Sequence, residues 1–301
     1  MTAKNTIGLI VITKNEEAYL ARCLDSCKFV DEIFVVDSFS SDETINIAQK
    51  YTENVFQKTW TNWYEQRMFG IQKMTSDWVL IMDADEFLSL EAQKEVRRIS
   101  CQEEFSSLSL PRRNFLLGGW VSHSGWYPDY QSRLILRKTM CGNGELVHTS
   151  FLSSGKAYQV PKDSEAYIHH NTCDSIHKYL EKINLSTSMD AKNLLNSPHF
   201  KLTKLGIFTR AMGMFTQSYW HNKGYKDGMR GLIVAGFEFI YSFVLMIKMW
   251  ELTSPPNGAV QTIIDETNGP NPNSEDIDTR VFNIVPDFTG SLPSLTHNLL
   301  S

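Results

Sequence analysis

The stretch from Trp78 to Glu86, W-V-L-I-M-D-A-D-E, constrains this chain more than any other. Val79 to Met82 is a short apolar run rich in β-formers, and it reads as a strand covered on both faces. Asp83, Asp85 and Glu86 follow at once, with Ala84 between the first two. Such a run makes a poor core and a poor helix, but a good metal site at a strand end. Carboxylate oxygens suit a hard divalent cation, and Mg2+ completes its shell with a substrate's phosphates. With Ala84 between them, Asp83 and Asp85 point to one side of an extended chain, so one can hold the metal and the other a sugar or ribose hydroxyl. The competing reading is an acidic turn that caps the next helix.

The preceding residues supply a context for that strand end. Ile7 to Thr13 is a continuous apolar run, Glu16 to Cys27 has helical spacing, and Asp31 to Asp37 reads as a second strand. Ser41 or Asp42 then caps a helix to Tyr51, Asn54 to Gln57 is a short third strand, and Asn62 to Met74 a third helix. This alternation predicts an α/β fold with a doubly wound, mostly parallel sheet. Such sheets bind ligands beyond the carboxyl ends of their strands. Thr13, Asn15 and Glu16 follow the first strand, Asp37 ends the second, and Asp83 and Asp85 end the fourth, so three strand ends bring polar groups to one edge.

Several function classes drop out. No G-x-G-x-x-G follows the first strand and no G-x-x-x-x-G-K-[ST] occurs, which argues against a dinucleotide dehydrogenase and a P-loop enzyme. A nucleotide diphosphate here needs a metal to offset its charge. The main body, acidic overall, does not suit nucleic-acid binding. Cysteines 23, 27, 101, 141 and 173 are odd in number and scattered, which fits a reducing compartment, with Cys23 and Cys27 as buried thiols. The start, M-T-A-K-N-T, lacks a basic n-region and cleavage site, so no signal peptide is expected. His148, His169 and His170 lack zinc-ligand spacing and read as structural histidines.

The motifs V-I-T-K-N-E-E (11–17), V-V-D-S-F-S-S-D-E-T (35–44), Gln66-Arg67 after W-x-x-W-Y (60–64), and M-D-A-D-E (82–86) together resemble family 2 glycosyltransferases of the GT-A type. The likeness extends through S-G-W-Y-P-D-Y-Q-S-R-L (124–134), L-V-H (146–148), I-H-H (168–170) and K-G-Y-K-D-G-M-R-G (223–231). More specifically the chain is similar to bacterial glucosyl- and hexosyltransferases of the lipopolysaccharide core, and the resemblance covers about residues 5–251. The resemblance implies a GT-A-like sheet and inverting transfer of a hexose from a UDP-sugar to a lipid-linked saccharide, with Mg2+ or Mn2+. It implies that Thr13, Asn15 and Glu16 line the nucleotide pocket and that Asp37 accepts from the uracil N–H. Gln66 and Arg67 would lie near the diphosphate or ribose, Asp83 would face ribose or metal, and Asp85 would hold the metal. The acceptor side would draw on Trp126, Tyr127, Arg133 and His148.

An inverting transfer also needs a carboxylate to take the acceptor's proton. The relatives carry Val-His-Glu where this chain has Val147-His148-Thr149, and threonine is no general base. Asp129 is the first remaining candidate and Glu145 the second. A protein or peptide acceptor is the alternative within enzymes. A donor-binding partner protein with weak turnover is the alternative outside them, and Thr149 is what keeps it open.

The chain divides by pattern into a nucleotide-sugar-binding and catalytic domain over 1–172, a helical subdomain over 173–251, and an acidic tail over 252–301 expected to be flexible. Helices are expected over Asp174 to Leu195, Leu202 to Trp220 and Tyr225 to Glu251. The apolar run 231–250 is nearly long enough to span a bilayer, but Glu238 at its centre makes that costly. Residues 201–250 hold seven bases against Asp227 and Glu238, interleaved with aromatics and methionines. This pattern points to a helix pair lying on an anionic leaflet. The expected location is the bacterial cytoplasm, peripheral on the inner face of the cytoplasmic membrane.

Overall fold

The structure is a computed structural model, and it describes residues 5–142, 151–195 and 203–253. The chain forms two compact units, one of residues 5–114 with 128–171, the other of 115–127 with 172–253. The segment 115–127, which the sequence reading left in the first domain, packs with the second unit. Glu145, His148, Thr149 and the tail beyond Thr253 lie outside the described residues.

In the first unit, β1 (Ile7–Thr13), α1 (Leu20–Ser26), β2 (Glu32–Asp37), α2 (Thr44–Ala48), β3 (Val55–Gln57), α3 (Trp63–Ile71) and β4 (Trp78–Asp83) alternate as the patterning requires. Every residue of β1 is buried because its two faces meet different helices. Ile7, Leu9 and Val11 pack with Leu20 and Leu24 of α1, whereas Ile10 and Ile12 pack with Ile71 of α3. Strand residues alternate faces, so a strand buried twice must be apolar throughout. A Cβ on Gly70 would lie 2.3 Å from Cδ1 of Ile10, so α3 reaches β1 this closely only through a glycine. Asn62 caps α3 by accepting from the Glu65 amide at 2.9 Å. The helix after β2 is shorter than expected: Asp42 accepts from the Thr44 amide, but α2 ends at Ala48.

The strands β3-β2-β1-β4 pair in parallel. Beyond them the order continues through β8 (Asp129–Leu136), β6 (Ser107–Leu116), β12 (Ile168–Cys173) and β5 (Glu86–Leu88). The pairs β4 with β8, β8 with β6, and β12 with β5 are antiparallel. The helix α4 (Leu90–Ser100) and the strand β7 (Gly119–Trp120) follow β5 and β6 in the chain. The strands β9 (Met140–Gly142) and β10 (Phe151–Ser153) form a small separate ladder, and β11 (Ala157–Gln159) adds to β6. This order bends the sheet. The three steps from Asp83 to Glu86 reach about 10 Å, whereas four strand spacings would part β4 from β5 by about 19 Å in a flat sheet. The sheet therefore curls around the Asp83–Glu86 turn.

The second unit is built on α5 (Ile176–Leu195), α6 (Lys204–Thr216) and α7 (Met229–Thr253). Its core brings Leu116, Val121 and Trp126 against Tyr179 and Ile183 of α5 and Phe237 and Tyr241 of α7. Among the described residues α7 alone is long and apolar enough to cross a membrane, with a mean hydropathy of 1.9, yet half of that window is buried inside the protein. In its first turn, a Cβ on Gly231 would sit 1.8 Å from the Gly224 carbonyl oxygen, so two backbones touch where the chain turns into α7.

Candidate active site

The loops after β1 and β2 are fastened to each other by their own polar groups. Thr13 Oγ1 donates to Asp37 Oδ1 at 2.9 Å, and the Ser40 amide donates to Asp37 Oδ2 at 2.8 Å. Asn15 adopts a left-handed conformation (φ 54°), which asparagine tolerates, and its Oδ1 accepts from the Ser41 amide at 2.8 Å. The Glu16 amide donates to Thr44 Oγ1 at 2.7 Å. Gln66 donates to Ser38 Oγ at 2.9 Å and to the Lys58 carbonyl at 3.1 Å, tying α3 to the same corner. Thr13, Asp37 and Gln66 are all buried. They form the floor and wall of this edge, and Asp37 already accepts from Thr13 and Ser40. Phe39 stands at its rim, 53% exposed and at φ 61°, an unusual conformation for a bulky side chain.

At the end of β4 the chain does not stay extended. Asp83 closes the strand, Ala84 and Asp85 form a turn, and Glu86 begins β5. Asp83 and Asp85 consequently meet different partners. Asp83 Oδ1 accepts from Arg67 at 2.6 Å and its Oδ2 from Arg133 at 2.6 Å. Arg133 also reaches Glu86 at 2.5 Å, Glu86 accepts from Arg112 at 3.0 Å, and Arg112 Nε donates to Asp129 at 2.7 Å. Three guanidiniums thus alternate with three carboxylates in a ribbon that is almost wholly buried, with only Asp129 partly open. In this setting a charge is tolerable only when paired and hydrogen-bonded.

A second line of polar contacts runs from the ribbon to Asp85. Asn114 Nδ2 donates to Asp129 at 3.1 Å, which turns its Oδ1 onto His170 Nδ1 at 2.6 Å. With Asn114 so oriented, Nδ1 of His170 is the donor, and Nε2 lies 3.2 Å from Asp85 Oδ2. Asp85 keeps 19% exposure beside a fully buried His170. The residues present fit a divalent cation in one way. No group of three or more His, Cys, Asp or Glu side chains among the described residues forms a cage, so a cation on Asp85 would take further oxygens from a substrate's phosphates and from water.

The structure corrects four roles assigned on sequence. Asp83 is committed to two arginines rather than to a metal, and Arg67 pairs with it inside the protein rather than facing a diphosphate. Arg133, expected near an acceptor phosphate, is 4% exposed and clamped by Asp83 and Glu86. Trp126 is 2% exposed in the core of the second unit, so its ring offers no face to a sugar; Tyr127 remains partly open, edge-on to Trp120 at 5.3 Å. Asp129 keeps its place as a candidate base and also accepts from Arg112, Asn114 and Gln131. Burial alone would raise its pKa, but the Arg112 charge and hydrogen bonds from Asn114, Arg112 and Gln131 outweigh it and hold the group below the usual carboxylate range. Cys23 and Cys27 are buried free thiols, and burial pushes Cys27 up to about 12.

Arg112, Asn114 and the roles of Glu86 and His170 were missed from sequence. Arg112 and Asn114 had a signal: with Leu108, Leu110 and Leu116 they occupy every second position of β6, and all five are buried. Polar residues that continue a buried stripe must have partners there.

Residues 9–156 match the family model described as glycosyl transferase family 2. The chain carries a family 2 glycosyltransferase domain. An uncharacterized glycosyltransferase of Rickettsia typhi is 26% identical over 261 residues, 82% of this chain and 87% of that one. The lipopolysaccharide core biosynthesis glycosyltransferase LpsC of Rhizobium meliloti is 26% identical over 273 residues, 85% of this chain and 97% of LpsC. Among solved structures, S. aureus TarS aligns over 79% of this glycosyltransferase and 81% of TarS, at 17% identity and a TM-score of 0.39. Glucosyl-3-phosphoglycerate synthase from Mycobacterium tuberculosis, crystallised with Mg2+ and uridine diphosphate, aligns over 38% of this glycosyltransferase at 22% identity and a TM-score of 0.32; less than half of that chain, 44%, is spanned.

Proposed function

We propose that this glycosyltransferase moves a hexose, with inversion, from a UDP-sugar to a lipid-linked saccharide of the lipopolysaccharide core or another surface glycan. The observation that carries the reading is the division of labour at the Asp83–Glu86 turn. Asp83 and Glu86 are spent on buried arginines, while Asp85 stays partly open on the turn, with His170 Nε2 3.2 Å from its Oδ2. Asp85 is the residue that would hold Mg2+ or Mn2+. Such a cation, when bound, offsets the charge that develops on the departing diphosphate. The loops bearing Asn15, Glu16 and Phe39 would receive the nucleoside, with Thr13, Asp37 and Gln66 shaping the pocket behind them. Proton removal from the acceptor falls to Asp129 or Glu145.

The lipid-linked acceptor is supported by the match to LpsC over nearly its whole length. The proposed location is the inner face of the bacterial cytoplasmic membrane, reached through the segment 201–250. Incubation with UDP-hexoses, a divalent cation and lipid-linked core acceptors tests the reading. Transfer that Asp85→Ala abolishes is the expected result. Near-normal transfer by that variant would sink the metal role, and donor binding without transfer to any acceptor would favour a silent partner protein.

A further inference from the structure

The exposed side of α7 is apolar from Met229 to Trp250, and the exposed Glu251 and Thr253 follow. Met229, Leu232, Ile240, Ile247 and Trp250 are 37–70% exposed. At 100° per residue they fall within a stripe about 80° wide. The opposite side, including Phe237, Glu238 and Tyr241, is buried in the core of the second unit. α6 extends the stripe with Leu205, Phe208 and Met212, which are 74%, 51% and 40% exposed, and Phe208 joins it to α7 by an edge contact with Phe239 at 6.1 Å. A continuous apolar face on two helices exceeds the scattered apolar residues of an ordinary surface.

At the end of this face where α6 turns into α7 the exposed charge has one sign, while Glu251 is exposed at the far end of α7. Where the chain turns from α6 to α7, Trp220 and Tyr225 are 56% and 49% exposed, and Lys223 and Lys226 are exposed beside them. The carboxylates of the same stretch are withdrawn. Asp227 is 5% exposed and bound to Ser122 and His123, and Glu238 is 7% exposed. We infer that this face of α6 and α7 docks on a bilayer surface with anionic headgroups, lying in the interface rather than crossing it. Aromatic and lysine side chains at one corner of an apolar stripe match the headgroup boundary. Crossing would strip the Glu238 side of α7 from its core.

This inference names the surface behind the lipid-linked acceptor reading, and vesicle binding tests it independently of transfer. The full chain is pelleted with vesicles of phosphatidylcholine alone or mixed with phosphatidylglycerol, and UDP binding is followed in parallel. The chain is expected to pellet with the anionic vesicles only, and less so at high salt. The pair Lys223→Gln with Lys226→Gln should weaken binding about 30-fold, from about 1 kcal/mol per lysine near an anionic surface. Leu205→Ser with Phe208→Ser and Met229→Ser should abolish it while UDP binding persists. Failure to pellet with either vesicle would overturn the inference. So would equal binding to both, or a wild-type dimer that the serine variant dissolves. Crosslinks from Lys223 or Lys226 to carboxylates of 254–301, without vesicle binding, would overturn it in favour of the tail. Loss of UDP binding with vesicle binding intact would instead count against the transfer reading alone.

Discussion

Replacing Glu86 by glutamine removes one charge from the middle of the buried ribbon. Glu86 is 1% exposed and accepts from both Arg112 and Arg133. The substitution is nearly isosteric, so packing is kept, but three guanidiniums are left facing Asp83 and Asp129 alone. Breaking a buried pair from one side costs about 3–5 kcal/mol, because the remaining charge has no water to replace its partner. That is a large share of a typical stability of about 5–15 kcal/mol. At about 2–4 °C per kcal/mol for a unit of this size, Tm should fall by about 6–20 °C. Urea unfolding followed by the fluorescence of the seven tryptophans reads the loss. Adding Arg133→Met to Glu86→Gln restores the balance and should cost less than the two single losses combined, by about 0.5–3 kcal/mol. A loss below about 1 kcal/mol for Glu86→Gln, or strict additivity in the pair, would refute the reasoning.

Other expected outcomes follow from single contacts. Burial pushes the Glu238 carboxyl up to about 7, with Trp126 pulling weakly the other way. The folded state therefore keeps a proton that the unfolded chain has released, and stability should fall as pH rises from about 4.5 to about 7, by about 3 kcal/mol in all. Glu238→Gln should flatten that slope in unfolding measured across the window; an unchanged slope would place the titration elsewhere. Gly231→Ala forces a methyl group onto the Gly224 carbonyl and should cost about 1–3 kcal/mol in urea unfolding, and a neutral result would mean the two backbones are not in contact. Asp129→Asn separates base from clamp. Tm should fall in either case, because Asp129 accepts from the buried Arg112. A base predicts in addition that kcat of the folded protein drops by about 100-fold or more, whereas a clamp alone leaves turnover of the surviving fold retained.

The first half of the sheet was legible because each of its strands is a continuous apolar run set between helices. β1 was read to its end residues, and β2 and β4 to within a residue or so. The antiparallel half was harder to see, since β6 and β8 carry arginine, asparagine and aspartate in positions that a hydrophobic pattern reads as loop. At the site, Asp83 and Asp85 were recognised as a pair, but their separation into a clamped and an open carboxylate was not. That difference comes from a turn at Ala84–Asp85 and from arginines 16 and 50 residues away from Asp83, which no local spacing encodes. For Trp126 the residue pattern left stacking on a sugar and packing open, and only the family resemblance pointed to a sugar; the structure packs it against α5 and α7.

The central claim is that Asp85 is the open carboxylate of this site and holds a cation for a uridine diphosphate. Titration calorimetry of UDP into the full chain, with Mn2+ and then with chelator, tests it most directly. The account predicts UDP binding that needs the cation and is lost in Asp85→Ala while a thermal melt shows that variant still folded. UDP binding that survives both chelation and Asp85→Ala would contradict it.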